Sequence, residues 1–225
     1  MSAWSSRERS PKRSSGRGRP PTIDREAVLE TAIQLLDAEG VEALTMRRLA
    51  SELGVSAMAP YRHVGSKDEL LMVVVDRLAA RLVYPSRPGD PKGAMLVLWS
   101  TIYDSLAEHS WVPEVLARRR MMAPSVLGAV EEIHAALADA GLSIEATVRA
   151  YRLMWNFTLG SLLVRAGASS EGPSQQRDLR GAPDPERYPT LAAAAAAWTA
   201  AHDPDTYRED LGALIDALLA DACHS

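Results

Sequence analysis

The sequence predicts an all-α protein, and three observations support that prediction. Apolar residues recur at positions i, i+3, i+4 and i+7 in one segment after another, which is the spacing of a helix with one buried face. Capping residues such as serine and threonine precede several of these segments, and glycine follows them, as at helix ends. No segment shows the alternation or the turn dipeptides of a β-hairpin.

Residues 1–21 form an arm of different composition. They are rich in serine, arginine, proline and glycine and carry a net charge of +5, whereas the remaining 204 residues carry about −9. Because the arm has too few apolar residues to fold, we expect it to be disordered. A basic arm on an acidic body indicates that only the arm and one local patch face a polyanion.

Length and cysteine content exclude several protein classes. The 225 residues are enough to bury a sizeable core without disulfides. Cys223 is the only cysteine, which excludes a disulfide framework and a structural zinc site within one chain. The first fifteen residues lack the apolar centre of a secretory signal, and no apolar run is long enough to span a membrane. We therefore expect a cytoplasmic protein with no membrane partner.

Residues 22–82 predict a first domain of four helices separated by glycines. The helices are expected at about Val28–Glu39, Thr45–Leu53, Ser56–Val64 and Ser66–Leu82. SKDE at 66–69 is a capping box that begins the fourth helix. Pro60 lies in the first turn of the third helix, where it removes a hydrogen bond and favours a tighter 3₁₀ start.

The second and third helices are joined only by Gly54 and Val55, which is the arrangement of a helix-turn-helix. Glycine permits the left-handed turn conformation that such a short connection needs. The third helix then leaves an outer face of five residues: Ala57, Met58, Tyr61, Arg62 and His63. The tyrosine, arginine and histidine of this face suit contacts with phosphates and base edges in a major groove.

Residues 83–225 predict a second, C-terminal helical domain for regulation and dimerisation. PSRPGDPKG at 85–93 marks its boundary by proline and glycine content. Helical spacing then returns at 91–108, 111–122, 124–140, 143–166, 189–201 and 205–222. The stretch 167–188 is expected to be a long loop.

The segment LMWNFTLGSLLV at 153–164 has no charged residue and is too short for a membrane. A helix that is apolar all round must be covered all round, so one side is expected to meet a partner chain. An ordinary monomer core is the alternative. The predicted interface is Leu159, Gly160, Leu162, Leu163, Leu211, Leu214, Ile215 and Leu218.

Residues 22–82 resemble the TetR family of bacterial repressors. The resemblance rests on an ordered series of motifs: Ala38-Glu39-Gly40, Leu44-Thr45, Arg47 to Ala50, Leu53 to Ser56, Tyr61 to Val64 and Lys67 to Leu71. Ala140 to Ser143 and Phe157 to Gly160 are similar to the regulatory domain of the tetracycline-repressor branch.

The resemblance implies roles for individual residues. Thr45 and Arg47 would contact DNA at the start of the second helix, and Lys67 would bind phosphate. The segment expected to face the groove comprises Ser56, Ala57, Met58, Ala59, Tyr61, Arg62 and His63. The apolar members suit thymine methyl groups.

The arm has its own resemblance. Arg17-Gly18-Arg19-Pro20 resembles the core of an AT-hook, in which two extended arginines enter a narrow A·T minor groove. Arg17 and Arg19 are therefore candidate DNA contacts. A solvated tail is the alternative.

Aromatic and methionine side chains of the second domain are candidates for the wall of a ligand pocket, although each alone could be ordinary core. They are Trp99, Tyr103, Trp111, Met121, Met154, Trp155 and Asn156. His109 occupies the place of the family's magnesium-binding histidine, but Val164 stands where its partner glutamate is expected, and Val83 where a ligand-contacting histidine is expected. We therefore expect His109 to lack a carboxylate partner, and the pocket to take an apolar compound.

These observations predict a ligand-responsive homodimeric repressor that binds a two-fold symmetric double-stranded DNA operator and is released by a hydrophobic small molecule. An activator of the same fold is an alternative. A non-specific DNA-compacting protein would be basic throughout, which this chain is not. No nucleophile–base pair, metal-ligand cluster or phosphate loop appears in the sequence, so we expect no enzyme, cofactor or metal site.

Overall fold

The computed structural model describes residues 24–84, 89–118, 123–170, 184–200 and 206–222, and these form helices joined by turns. The helices are α1 (Arg25–Ala43), α2 (Met46–Glu52), α3 (Lys67–Ala79), α4 (Pro91–Ala107), α5 (Val112–Arg118), α6 (Leu127–Asp139), α7 (Ile144–Ser170), α8 (Pro189–Ala200) and α9 (Tyr207–Ala222). Two short 3₁₀ turns occur at Pro60–Arg62 and Pro124–Val126. The predicted all-α class is confirmed.

The helices differ from the predicted ones mainly at their ends. The helix expected at 143–166 continues to Ser170, so the start of the loop expected at 167–188 was wrong. The segment expected to be helical from Pro124 begins with a 3₁₀ turn at Pro124–Val126, and the α-helix starts only at Leu127. The arm, with Arg17 and Arg19, and Met121 lie outside the described residues.

The first hydrophobic cluster joins α1, α2 and α3, with α5 packed against them. Leu36, Leu49 and Leu70 are among its fully buried side chains. Gly40, with a φ of 78°, forms a kink within α1, and Gly54, with a φ of 65°, allows the sharp change of direction after α2. The cluster fixes the position of α2, and of the turns that follow it, relative to α1 and α3.

The second hydrophobic cluster joins α4, α6, α7 and α9. At its centre the Tyr207 ring stacks on Tyr103 at a centroid distance of 3.7 Å. The Tyr207 hydroxyl and the Thr158 hydroxyl, both fully enclosed, lie 2.9 Å apart and satisfy each other. This cluster forms the core of the C-terminal half of the chain, which is called the regulatory half once its family is identified below.

Polar contacts also join the two halves. Trp111, which precedes α5, donates its indole N–H to Asp37 of α1 at 2.7 Å. The Ser125 N–H donates to Asp76 of α3 at 2.9 Å. Helices α1 and α3 are thus tied to the C-terminal half of the chain at two points. Within the described ranges, every helix is too short or too polar to cross a lipid bilayer.

Candidate functional site

Helix α2 carries one free arginine and one paired arginine. Thr45 caps the helix, because its hydroxyl accepts the Arg48 N–H at 3.0 Å. Arg48 lies within 3.2 Å of Glu39 and 3.0 Å of Glu52. Arg47 is exposed and forms no ion pair with the described residues. At this end of the molecule Arg47 is therefore available to an anionic partner and Arg48 is already neutralised.

The segment expected to be the third helix is not an α-helix, and that prediction was wrong. Residues 57–59 form a turn in which the Ala59 N–H donates to the Ser56 carbonyl at 2.9 Å, and a 3₁₀ turn at Pro60–Arg62 follows. Pro60 has no N–H to return to Ser56, so the first α-helical bond is missing and tighter turns replace it.

These turns nevertheless present the predicted side chains outward. Met58 is 67% exposed and Tyr61 is 44% exposed, whereas Pro60 is buried and anchors the segment. Ser56, Ala57 and Arg62 are exposed, and Ala59 and His63 are half-buried. The exposed surface formed by Arg47, Met58, Tyr61 and Arg62 is called the recognition face below. It combines two guanidinium groups that form no ion pair with the described residues, from Arg47 and Arg62, with apolar and phenolic side chains.

Lys67, the predicted phosphate contact, is engaged inside the chain. Its Nζ donates to the Val41 carbonyl at 2.6 Å, which holds the end of α1 against the start of α3. An ammonium group has three protons, so two remain for another acceptor. Ser66 caps α3 by accepting the Glu69 N–H at 3.0 Å, as the sequence predicts, and Glu69 accepts from the Gly65 N–H at 2.8 Å.

A cavity of about 580 Å³ lies between α3 and the helices α4 to α7. Apolar side chains make up most of its wall, and α3, α5 and α6 each contribute several of them. Of the predicted ligand residues, His109, Trp155 and Asn156 line it, and so does Leu159, which was predicted for the dimer interface. Sequence reasoning missed Tyr84, Tyr151 and Arg152, which line it as well.

Other predicted pocket residues lie in the cores. Tyr103 and Met154 are buried in the second cluster and Trp111 in the first. Trp99 stands behind the cavity, with its ring 5.7 Å from Tyr151 and 6.4 Å from Trp155. Helical spacing marks all of these positions as buried but cannot tell a core from a cavity wall.

His109 has a carboxylate partner, so the expectation that it lacks one was wrong. Its Nδ1 lies 2.7 Å from Asp37 Oδ1, and the same oxygen accepts the Trp111 indole N–H. An ionised carboxylate only accepts, so Nδ1 carries the proton. The partner comes from α1 rather than from the position of Val164, which is 74% exposed. Sequence spacing could not reveal a contact between residues 72 positions apart.

The predicted dimer residues divide into two groups. Leu162, Leu211 and Ile215 are at most 2% exposed and belong to the chain's own core. Leu159, Leu214 and Leu218 are half-buried, while Gly160 and Leu163 are exposed. The exposed apolar face of α7 consists of Leu153, Gly160, Leu163 and Val164.

Comparison with known protein families identifies the family to which this architecture belongs. Residues 28–74 match the profile of the bacterial regulatory proteins of the tetR family, and residues 88–220 match that of the tetracyclin repressor-like C-terminal domain. The chain belongs to the TetR family. The two matched segments coincide with the helix-turn-helix half and the regulatory half described above.

Individual TetR-family proteins are similar over different lengths. The HTH-type transcriptional repressor DrrR1 of Streptomyces coeruleorubidus is 34% identical over 148 residues, which is 64% of this chain and 54% of that protein. The chain thus spans about half the length of this curated relative. Apo ActR from Streptomyces coelicolor is 26% identical, with a TM-score of 0.80, and the match covers 90% of this chain and 98% of ActR. ActR in complex with actinorhodin is also 26% identical, with a TM-score of 0.78, and that match covers 89% of this chain and 98% of ActR.

Proposed function

We propose that this protein is a transcriptional repressor that binds a two-fold symmetric operator as a homodimer and releases it when a small molecule fills the cavity. This proposal rests on one observation, which is that α3 and the helices of the regulatory half together form the wall of the cavity. Val75, Leu78 and Ala79 of α3 form one side, and helices of the regulatory half form the rest. Since α3 begins directly after the recognition face, a change of cavity shape reaches the DNA-binding surface.

The recognition face supports the DNA-binding step. Arg47 and Arg62 are exposed cations without ion pairs among the described residues, and guanidinium groups form paired hydrogen bonds with phosphate or guanine. Met58 offers an apolar contact for a thymine methyl, and the Tyr61 hydroxyl suits a phosphate. Thr45, Ser56, Ala57, Ala59, His63, Lys67 and the arm arginines Arg17 and Arg19 remain proposed contacts.

The exposed apolar face of α7 supports a dimer. Leu153, Leu163 and Val164 are 44%, 38% and 74% exposed, and an added Cβ at Gly160 would meet nothing within its own chain. A partner helix that packs there would bury these side chains. Two subunits related by a two-fold axis would present two recognition faces, about 34–36 Å apart for successive major grooves.

The cavity supports a small-molecule effector. Its volume of about 580 Å³ lies within the range of roughly 300–1,000 Å³ that is typical of ligand pockets. ActR, which has the same fold, has been solved in complex with actinorhodin. By analogy, we propose that the cavity of this protein receives a small molecule with a large apolar body.

Two polar links support a mechanism of release. Asp37 accepts hydrogen bonds from His109 and Trp111, and Asp76 accepts one from the Ser125 N–H. The regulatory half therefore holds both α1 and α3. A ligand that binds one arrangement of the cavity wall more tightly shifts the population of the protein toward that arrangement. The size of the shift is set by the difference in ligand affinity between the two arrangements. The reciprocal consequence is that operator DNA weakens ligand binding by the same factor.

A variant of the recognition face tests the proposed function. Arg62→Ala should lower operator affinity at least about tenfold and reduce its salt dependence, because a guanidinium contact with DNA is lost. Arg149→Ala, an exposed arginine of α7, is the control and should bind like the wild type. Binding curves at several salt concentrations give both quantities. Equal affinity of both variants would rule out the assigned DNA face.

A further inference from the structure

Among the residues that the structure describes, the polar part of the cavity wall contains hydrogen-bond donors and a cation but no carboxylate. The polar side chains of this part of the wall are Tyr84, Ser105, His109, Tyr151, Arg152 and Asn156, and no described aspartate or glutamate lines it. The nearby carboxylate of Asp37 lies outside the wall and is engaged by His109 and Trp111. Arg152 is therefore the one permanently charged side chain in the described part of the wall.

Two tyrosine hydroxyls in the wall are suited to donate. Burial raises the pKa of Tyr84, and burial together with the charge of Tyr84 raises the pKa of Tyr151. Both stay protonated at neutral pH. The Tyr84 hydroxyl is enclosed and has no hydrogen-bond partner among the described residues. A buried hydroxyl without a partner is unfavourable, and a ligand acceptor that displaces the atoms covering this hydroxyl would relieve the cost.

Arg152 supplies the cation. It belongs to α7, follows Tyr151 directly and shares a helix face with Asn156, four residues on. It forms no ion pair with the described residues. The guanidinium group has five N–H donors and pairs with a carboxylate through two parallel hydrogen bonds. Trp155, the next wall residue on the same helix, adds an aromatic surface beside it.

We propose that the effector is an aromatic acid, whose apolar body lies among Trp155 and the α3 side chains and whose carboxylate is bound by Arg152 and the tyrosine hydroxyls. The inference rests on the proposed function in taking the cavity as the effector site. A cationic ligand would face Arg152 with no carboxylate in the wall to offset the repulsion. Arg152 is exposed to solvent, so a neutral ligand would leave its guanidinium group to water and would gain no charge-assisted hydrogen bond from it.

A matched pair of probes tests the ligand class on the full chain. Anthracene-2-carboxylate and anthracene-2-carboxamide have nearly the same shape, and only the first is anionic. Titration calorimetry at pH 7 should show the acid binding about tenfold or more tightly than the amide, because charge-assisted hydrogen bonds are about twice as strong as neutral ones. Equal affinities, or no binding of either probe at millimolar concentration, would overturn the inference.

Variants of α7 identify the group that selects the acid. Arg152→Gln should abolish the preference for the acid while amide affinity changes less than about twofold, and Arg152→Lys should keep part of it. Arg149→Gln, an exposed arginine of the same helix that does not line the cavity, should keep all of it. If Arg149→Gln and Arg152→Gln affect the acid equally, the assignment of Arg152 is wrong.

The same proteins distinguish this inference from the proposed function. Operator binding is measured on each of them without ligand. A preference for the acid without any operator binding would support the proposed ligand class and contradict the proposed repressor function. Operator binding with equal affinity for the acid and the amide would support the repressor function and contradict the ligand class.

Discussion

His109 of the cavity wall and Asp37 of α1 are hydrogen-bonded, with 2.7 Å between Nδ1 and Oδ1. The same oxygen of Asp37 accepts the indole N–H of Trp111, which is 2% exposed. One carboxylate of the DNA-proximal half therefore satisfies two side chains of the regulatory half. This contact joins the ligand cavity to the helix on which the recognition face is supported.

Asp37→Ala should lower the free energy of unfolding by about 1–3 kcal/mol, because it leaves the buried Trp111 donor without an acceptor. Asp37→Asn keeps an acceptor oxygen and should lose less. Urea unfolding measures both. Asp104→Ala is the control, since its pair with Arg208 is exposed and worth about 0–1 kcal/mol. Equal effects of Asp37→Ala and Asp104→Ala would show that the link carries no special stability.

Arg47 and Arg48 are neighbours on α2 with different partners, and this difference predicts different effects on DNA binding. Arg47→Ala should weaken operator binding about tenfold or more, because Arg47 is free to contact DNA. Arg48→Ala should have a small effect, because Glu39 and Glu52 already hold that guanidinium. Fluorescence anisotropy with one operator at fixed salt measures both. A larger loss for Arg48→Ala would reverse the assignment.

Leu162 and Leu163 are adjacent on α7 but point to different surroundings. Leu162→Glu should unfold the chain or destabilise it strongly, because the residue is 2% exposed in the core. Leu163→Glu, at a position 38% exposed, should leave the chain folded and yield monomers. Circular dichroism and light scattering measure fold and mass. A folded Leu163→Glu variant that remains a dimer would remove the α7 face from the interface.

Tyr207 predicts a loss of stability in alkali. Burial raises its pKa to about 12, although the hydrogen bond with Thr158 opposes this. An unfolded tyrosine ionises near pH 10, so above about pH 10 the unfolded chain binds fewer protons than the folded one. The free energy of unfolding should then fall by about 2–3 kcal/mol between roughly pH 10 and 12. Tyr207→Phe should flatten this fall, and an unchanged pH profile would contradict the assignment.

Features set by neighbouring residues could be predicted from the sequence. The caps Thr45 and Ser66 act through hydrogen bonds three residues away, and both occur as expected. Gly54 adopts the left-handed conformation that the short connection after α2 requires. Pro60 signalled a departure from a regular helix, but the sequence did not show that the turns would replace the whole helix.

Features that depend on distant residues could not be predicted. Leu159, Leu162 and Leu163 are apolar residues close together on α7, yet they have three different surroundings. Leu162 lies in the core, Leu163 is exposed and Leu159 lines the cavity. The helical period is the same for all three environments. The partnership of Asp37 with His109 likewise depends on how α1 packs against the end of α4, which no local pattern encodes.

Selection of bound DNA from a random pool tests the central claim most directly. The full chain should enrich a sequence with two-fold symmetry, with half-sites about one helical turn or a multiple of it apart. A variant with both Arg47→Ala and Arg62→Ala should lose that enrichment while it remains folded. Enrichment of an asymmetric sequence, or no enrichment by a folded wild-type protein, would contradict the account.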